Sequence, residues 1–187
     1  MAKPAPRLLE RYRKEIIPKM MEKFSLDNSM SVPRVEKVVV NMGVGEALQD
    51  VKALDKAMEE LATITGQKPL MRRAKKAISN FKVKENAPVG CKVTLRRRHM
   101  YEFMDRLINV AMPRIRDFRG VKMDAFDRAG NYTLGLNEQH IFPELDVDRI
   151  TRAQGMDITF VIKNSKSKEQ SRELLKLFGI PFKEAKD

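Results

Sequence analysis

Four short stretches of this chain alternate apolar and polar residues almost one by one. Val89, Cys91, Val93 and Leu95 alternate with Lys92, Thr94 and Arg96, and Met156, Ile158, Phe160 and Ile162 alternate with Asp157, Thr159 and Lys163. Tyr132, Leu134 and Leu136 alternate with Asn131, Thr133 and Gly135, while Val38, Val40 and Met42 stand opposite Lys37 and Asn41. Side chains along a strand point to opposite faces, so a period of two gives each strand one buried and one wet face. Parallel strands are covered on both sides and read as continuous apolar runs, so one-sided strands belong to antiparallel sheets. Helices can then cover one face only. The expected fold is α+β, a mostly antiparallel sheet with helices on one face, within a single domain spanning 1–187. The other face stays open and carries Lys37, Asn41, Lys92, Thr94, Arg96 and Lys163.

Helical periodicity supplies the cover. Leu8, Leu9, Tyr12, Ile16 and Met20 trace a helix from Arg7 to Phe24, which Pro18 should kink or shorten. Val51, Leu54, Met58, Leu61 and Thr65 trace a second, with Asp50 as N-cap and Gly66 just past its end. Phe103, Met104, Leu107, Ile108, Ala111 and Met112 form a third that Pro113 closes. The last runs from Ser167 to Phe178, opened by a Ser167-x-x-Gln170 capping box and ended by Gly179.

Charge is concentrated between two of these elements. Eleven basic residues lie between Lys68 and Arg98 against one acid, Glu85, so ten of the twelve net charges fall in 31 of 187 residues. Such a concentration needs a polyanion to face. The stretch is not helix-periodic and the chain has no Trp, which disfavours a basic amphipathic membrane helix. No apolar run reaches the roughly 20 residues of a membrane span, and Met1 to Leu9 lacks the core of a signal peptide. A lone cysteine fits a reducing cytosol. Aromatics make up only 6% of the chain, too few for base stacking along a single strand. Amide, hydroxyl and ammonium groups on an open sheet suit a structured RNA read by shape. Within the basic region, Arg73 to Pro88 separates strands at Gln67–Arg72 and Val89–Arg98. It is too long for a tight turn, holds one aromatic, Phe81, and has few apolar anchors. It is therefore expected to be mobile until RNA orders it.

Catalytic readings fare poorly. Gly43-Val44-Gly45 follows a strand, but Leu48 replaces the third glycine of a dinucleotide fingerprint. Glu144, Asp146 and Asp148 would share one side of an extended segment, either as a Mg²⁺ cluster or, better, as an exposed acidic edge for a basic protein. His99, His140 and Cys91 are too few and too scattered for zinc. Cys91 falls on an apolar strand face, and His99 continues the Arg96–Arg98 run. No cofactor or catalytic constellation is indicated, so an RNA-processing enzyme or RNA chaperone is the weaker alternative.

The blocks Val35–Gly45, Ile64–Leu70 with Ala74-Lys75-Lys76, Gly90–Arg96 and Pro113–Gly120, extended by Gly130-Asn131-Tyr132 and Asp157-Ile158-Thr159, closely resemble a known family. It is that of bacterial large-subunit ribosomal protein five, which binds 5S rRNA. The resemblance runs in order over nearly the whole chain. Arg72 departs from it, standing where the family usually has a small residue, and adds charge. The resemblance implies a cytoplasmic, ribosome-associated structural protein that attaches 5S rRNA in the central protuberance. Its partners would be 5S and large-subunit rRNA, other protuberance proteins, peptidyl-site tRNA and a basic protein of the small-subunit head. Asn41, Gln67, Lys68 and Thr94 match RNA-contacting positions, to which the open face and basic run add Lys37, Arg72, Lys92, Arg96 and Arg98. Arg73, Lys75, Lys76, Ser79, Asn80, Lys82 and Lys84 would form the loop that meets tRNA. Glu144, Asp146 and Asp148 would lie in the intersubunit bridge.

Overall fold

The computed structural model describes residues 4–48, 50–146, 150 and 152–183. The first helical run is not cut at Pro18. Helix α1 (Arg7–Arg11) passes into a π-helical stretch, Tyr12–Ile16, and on into α2 (Ile17–Phe24). Pro18 occupies the first turn of α2. The wider π turn just ahead absorbs the break in bonding that a residue without an N–H imposes.

Strand β1 (Arg34–Gly43) leads to α3 (Val51–Thr65), whose ends fall where its capping residues require. The Asp50 carboxylate accepts from the Lys52 N–H at 2.9 Å, and Gly66 closes the helix at φ +67°. Then come β2 (Leu70–Arg73), β3 (Pro88–Leu95) and α4 (Arg97–Arg106), which continues through a π turn at Leu107–Ala111 and a 3-10 turn at Met112–Arg114. Strands β4 (Tyr132–Leu136) and β5 (Met156–Lys163) precede α5 (Lys168–Phe178). At α5 the Ser167 hydroxyl accepts from the Gln170 N–H at 3.3 Å, while Gln170 Oε1 accepts from Lys166 at 2.9 Å. The return arm of the capping box thus reaches one residue further back than the usual motif.

The five strands form one sheet in the order β2-β3-β1-β5-β4. β2 and β3 are antiparallel. The other neighbours run the same way. The end of β1 meets the start of β3, where the Val44 N–H donates to the Val89 carbonyl at 3.0 Å. Residues flanking β5 bond residues flanking β1 in reverse order, Asn164 to the Met30 carbonyl and Gln154 to that of Gly43, both at 2.8 Å. Across β4 and β5 the Thr133 and Thr159 hydroxyls share a 3.0 Å bond, and Asn131 Oδ1 accepts from Ile162. The α+β architecture with a one-sided antiparallel sheet is as the alternation requires. Val38, Val40, Met42, Cys91, Val93, Leu95, Tyr132, Leu134, Ile158 and Phe160 are all buried.

By contacts the chain forms two compact units whose boundaries fall inside β1, β4 and β5 and at the end of β3. One comprises residues up to Val38, Arg96–Leu134 and the chain from Thr159 on. Its core brings α1 onto α4 and α5 onto the π stretch, where the Tyr12 and Phe178 rings stack with centroids 5.9 Å apart. The other comprises Val39–Leu95 and Gly135–Ile158, with α3 packed on β3.

Candidate nucleic-acid interface

In the unit built around α3, the side of β3 away from the core is half-exposed and polar. Leu70 faces Lys92 and Arg72 faces Gly90 across the β2–β3 ladder, whereas Met71 faces Cys91 on the buried side. Residues directly opposite one another share a face. Leu70, Arg72, Lys92 and Thr94 therefore project to the open side, and Leu70 is 58% exposed there. Asn41 is half-exposed on neighbouring β1, between buried Val40 and Met42. Gln67, in the link from α3, donates its side-chain amide to the Thr94 carbonyl at 3.4 Å. Thr94 is left with its hydroxyl free of that bond. Lys68 follows, exposed. The structure thus gathers Asn41, Gln67, Lys68, Arg72, Lys92 and Thr94. Lys37 belongs to the stretch of β1 in the other unit, where it is half-buried between Glu36 and Val38.

Arg96, Arg97 and Arg98 correct the sequence reading. They do not extend the strand face. β3 ends at Leu95, Arg96 is the N-cap residue of α4, and Arg97 starts the helix with φ +51°. Met100, Tyr101, Phe103 and Met104 pull the segment into a helix because all four bury against the core. Arg98 pairs with Glu102 at 2.6 Å, and His99 is exposed beside it. No carboxylate lies within 4.0 Å of Lys68, Arg72, Arg73, Lys75, Lys76, Lys82, Lys84, Lys92, Arg96 or Arg97 among the described residues. Their repulsion is left for an external anion to relieve.

The segment from Arg73 to Pro88 is a hydrogen-bonded excursion. Ala74 donates to the Ala87 carbonyl at 2.9 Å and accepts from Asn86 at 3.0 Å, and Arg73 Nη1 reaches the Asn86 carbonyl at 3.1 Å. Farther out, Ile78 and Val83 exchange two backbone bonds of 2.9 and 3.1 Å around a 3-10 turn at Ser79–Phe81. Backbone pairing supplies anchors that side-chain composition does not announce. Lys75, Lys76, Ser79, Asn80, Lys82 and Lys84 are all exposed on it.

The acidic segment also differs from its reading. The segment is not one extended run but two successive turns: Phe142 donates to the Gln139 carbonyl and Leu145 to that of Phe142, both at 3.2 Å. Pro143 and the inward-turned Leu145 break the alternation, leaving Asp146 exposed and Glu144 half-buried. Asp148 lies outside the described residues. Among those described, no three His, Cys, Asp or Glu side chains are grouped to hold a metal. Cys91 is fully buried, and burial, then the nearby Glu60 charge, pushes its thiol up to about 11. Gly43 ends β1 and Gly45 opens a 3-10 turn, so the pair is a strand terminus rather than a phosphate loop.

Comparison with known families decides what carries this surface. Residues 28–84 match the family model described as ribosomal protein L5, and residues 88–182 match the model of the same family's C-terminus. The chain belongs to the ribosomal protein L5 family. Similar proteins include the large ribosomal subunit protein uL5 of Clostridium botulinum strain Loch Maree, 56% identical over 95% of this chain and 98% of that protein. The uL5 protein of Syntrophomonas wolfei is 57% identical over 95% of this chain and 99% of its own length. Membership makes the chain a ribosomal component working in the cytoplasm, not an enzyme. No described helix is long and apolar enough to cross a membrane.

Proposed function

We propose that this chain is a structural constituent of the large subunit that binds 5S rRNA through the open face of β2, β3 and the adjoining part of β1. Asn41, Gln67, Lys68, Arg72, Lys92 and Thr94 contact RNA there, with Arg96 and Arg98 at the head of α4 and Lys37 further along β1. In this reading it helps attach 5S rRNA in the central protuberance beside large-subunit rRNA. The Arg73–Pro88 excursion reaches peptidyl-site tRNA, and Glu144, Asp146 and Asp148 meet a basic protein of the small-subunit head. One observation carries the reading: a dense run of cations, broken by the single acid Glu85 and paired with no carboxylate among the described residues, on a polar sheet face and the loop that grows from it. Ammonium, guanidinium, amide and hydroxyl donors at exposed and half-exposed positions suit phosphates and 2′-hydroxyls.

Filter binding of the full chain to 5S rRNA, with a duplex of equal length as competitor, tests the core of this. Selective retention of 5S rRNA is expected, and equal competition by the duplex would remove specific 5S recognition. Deleting Lys75 to Lys84 and closing the gap with a Gly-containing turn should leave 5S binding intact and lower tRNA retention on assembled ribosomes.

A further inference from the structure

The outer turn of the basic excursion presents a ring that nothing in the fold uses. Phe81 is 71% exposed and Ile78, three residues earlier, 47% exposed. The ring has no aromatic neighbour among the described residues. Its backbone is nonetheless held. Ser79–Phe81 is a 3-10 turn, closed by the Lys82 N–H on the Ser79 carbonyl at 2.9 Å and framed by the two Ile78–Val83 bonds. Lys82 itself sits in the left-handed region at φ +53°, a conformation uncommon outside glycine. An apolar side chain is thus displayed in water on a defined turn, in an excursion that also exposes Lys75, Lys76, Lys82 and Lys84, none of them paired with a carboxylate among the described residues.

We propose that Phe81 stacks on an unpaired nucleobase in the loop of a folded RNA. The inference rests on the reading that this excursion faces RNA, and it narrows the ligand class. Cations alone would meet the phosphates of any helix. A ring adds affinity only where a base face is free, because the bases of a duplex are already stacked on each other. Every base has a π-face, so stacking tolerates sequence and selects for shape. Ile78 gives the base an apolar shoulder, and the lysines hold the flanking phosphates. Charge complementarity argues against a hydrophobic protein groove, which would have to bury unpaired ammonium groups of the same excursion, Lys82 next to the ring among them.

The chain contains no Trp, so Phe81→Trp creates a single reporter at this site, at an exposed position where the fold is not strained. Emission excited at the red edge is followed while the full-length variant is titrated with deacylated tRNA, with a blunt RNA duplex of equal phosphate number, and with phosphatidylglycerol vesicles. Strong quenching by tRNA and little by the duplex, both at saturation by filter binding, is the expected result. Phe81→Ala should weaken tRNA binding roughly five- to a hundredfold with the slope of log affinity against log salt unchanged, and Phe81→Trp should retain binding. Unquenched emission with tRNA bound, equal quenching by the duplex, or a blue shift on vesicles alone would overturn the proposal. A Lys82→Gln, Lys84→Gln double variant separates this failure from that of the underlying reading. If its salt slope falls while the Trp stays silent, the loop faces RNA without stacking; if its slope and affinity match the parent's, the loop does not face RNA at all.

Discussion

Arg98 Nε stands 2.6 Å from Glu102 Oε1, one turn along α4, while Arg96 and Arg97 beside it have no carboxylate partner among the described residues. Three adjacent guanidinium groups are therefore electrostatically unequal. Each phosphate neutralised releases counterions, so losing one contact should reduce the salt slope by about 0.7–0.9. Arg96→Gln is expected to do so in a 5S rRNA titration across salt concentrations. Arg98→Gln should change it less, because Glu102 already offsets part of that charge. An unchanged slope for Arg96→Gln would place that residue away from RNA.

Asn41 and Thr94 sit on the polar side of their strands, so replacing both with Ala should spare the core. Gln67 bonds the Thr94 carbonyl and not its hydroxyl, and that link survives the change. The expected outcome is a melting temperature within a few degrees of the parent and weaker 5S rRNA binding. Each partner group left unpaired costs about 1–3 kcal/mol. A large fall in melting temperature with binding unchanged would show that the two faces are inverted.

Gly90 has no room for a side chain: a Cβ there would overlap the Met42 carbonyl oxygen on β1. Backbone on a paired strand cannot step aside as a flexible side chain can. Gly90→Ala should destabilise the fold by about 1–3 kcal/mol, read as a lowered urea midpoint. Gly43→Ala, whose Cβ would meet nothing within 4 Å, is the matched control and should be near neutral.

Burial and then the Glu60 charge raise the Cys91 thiol from 9.0 to about 11 in the folded chain. Below pH 9 the thiol is protonated in both states and the stability of the fold is undiminished. Between pH 9 and 11 the unfolded chain gives up the proton that the folded chain keeps, so stability falls as pH rises, levelling once the folded thiol also ionises. Urea midpoints at pH 8.5 and 10.5 should therefore diverge more for the parent than for Cys91→Ala. Equal divergence would mean that the thiol does not couple to folding.

The strands and the ends of α3 were legible because their signals are local: an alternation of two, an N-cap carboxylate, a glycine in the left-handed region. The Arg96–Arg98 run was not. Three like residues carry neither a period of two nor of 3.6, and what decides their conformation is Met100 to Met104 turning inward after them. The acidic segment misled for the opposite reason: Glu144, Asp146 and Asp148 alternate in the sequence, but a turn from Phe142 to Leu145, with Pro143 in it and Leu145 buried, breaks the alternation at Glu144. Pro143 was the available signal. In the basic excursion, charge density was visible but the Ile78–Val83 pairing was not, because backbone bonds leave no mark on composition.

Leu8, Tyr12, Ile16 and Met20 are all buried at a strict spacing of four. An α-helix turns about 100° per residue, so each such step overshoots a full turn by roughly 40° and three steps would wind the stripe a third of the way round. The π-helical stretch at Tyr12–Ile16 turns more slowly and sets the clock back. Register here is a matter of phase: the two ends of the run agree on which way is inward only because the middle lags. An ordinary α-helix through the same twelve steps would swing Met20 about 120° out of line with Leu8, whereas deleting Lys14 would keep the two within about 20°, because eleven steps make almost three full turns.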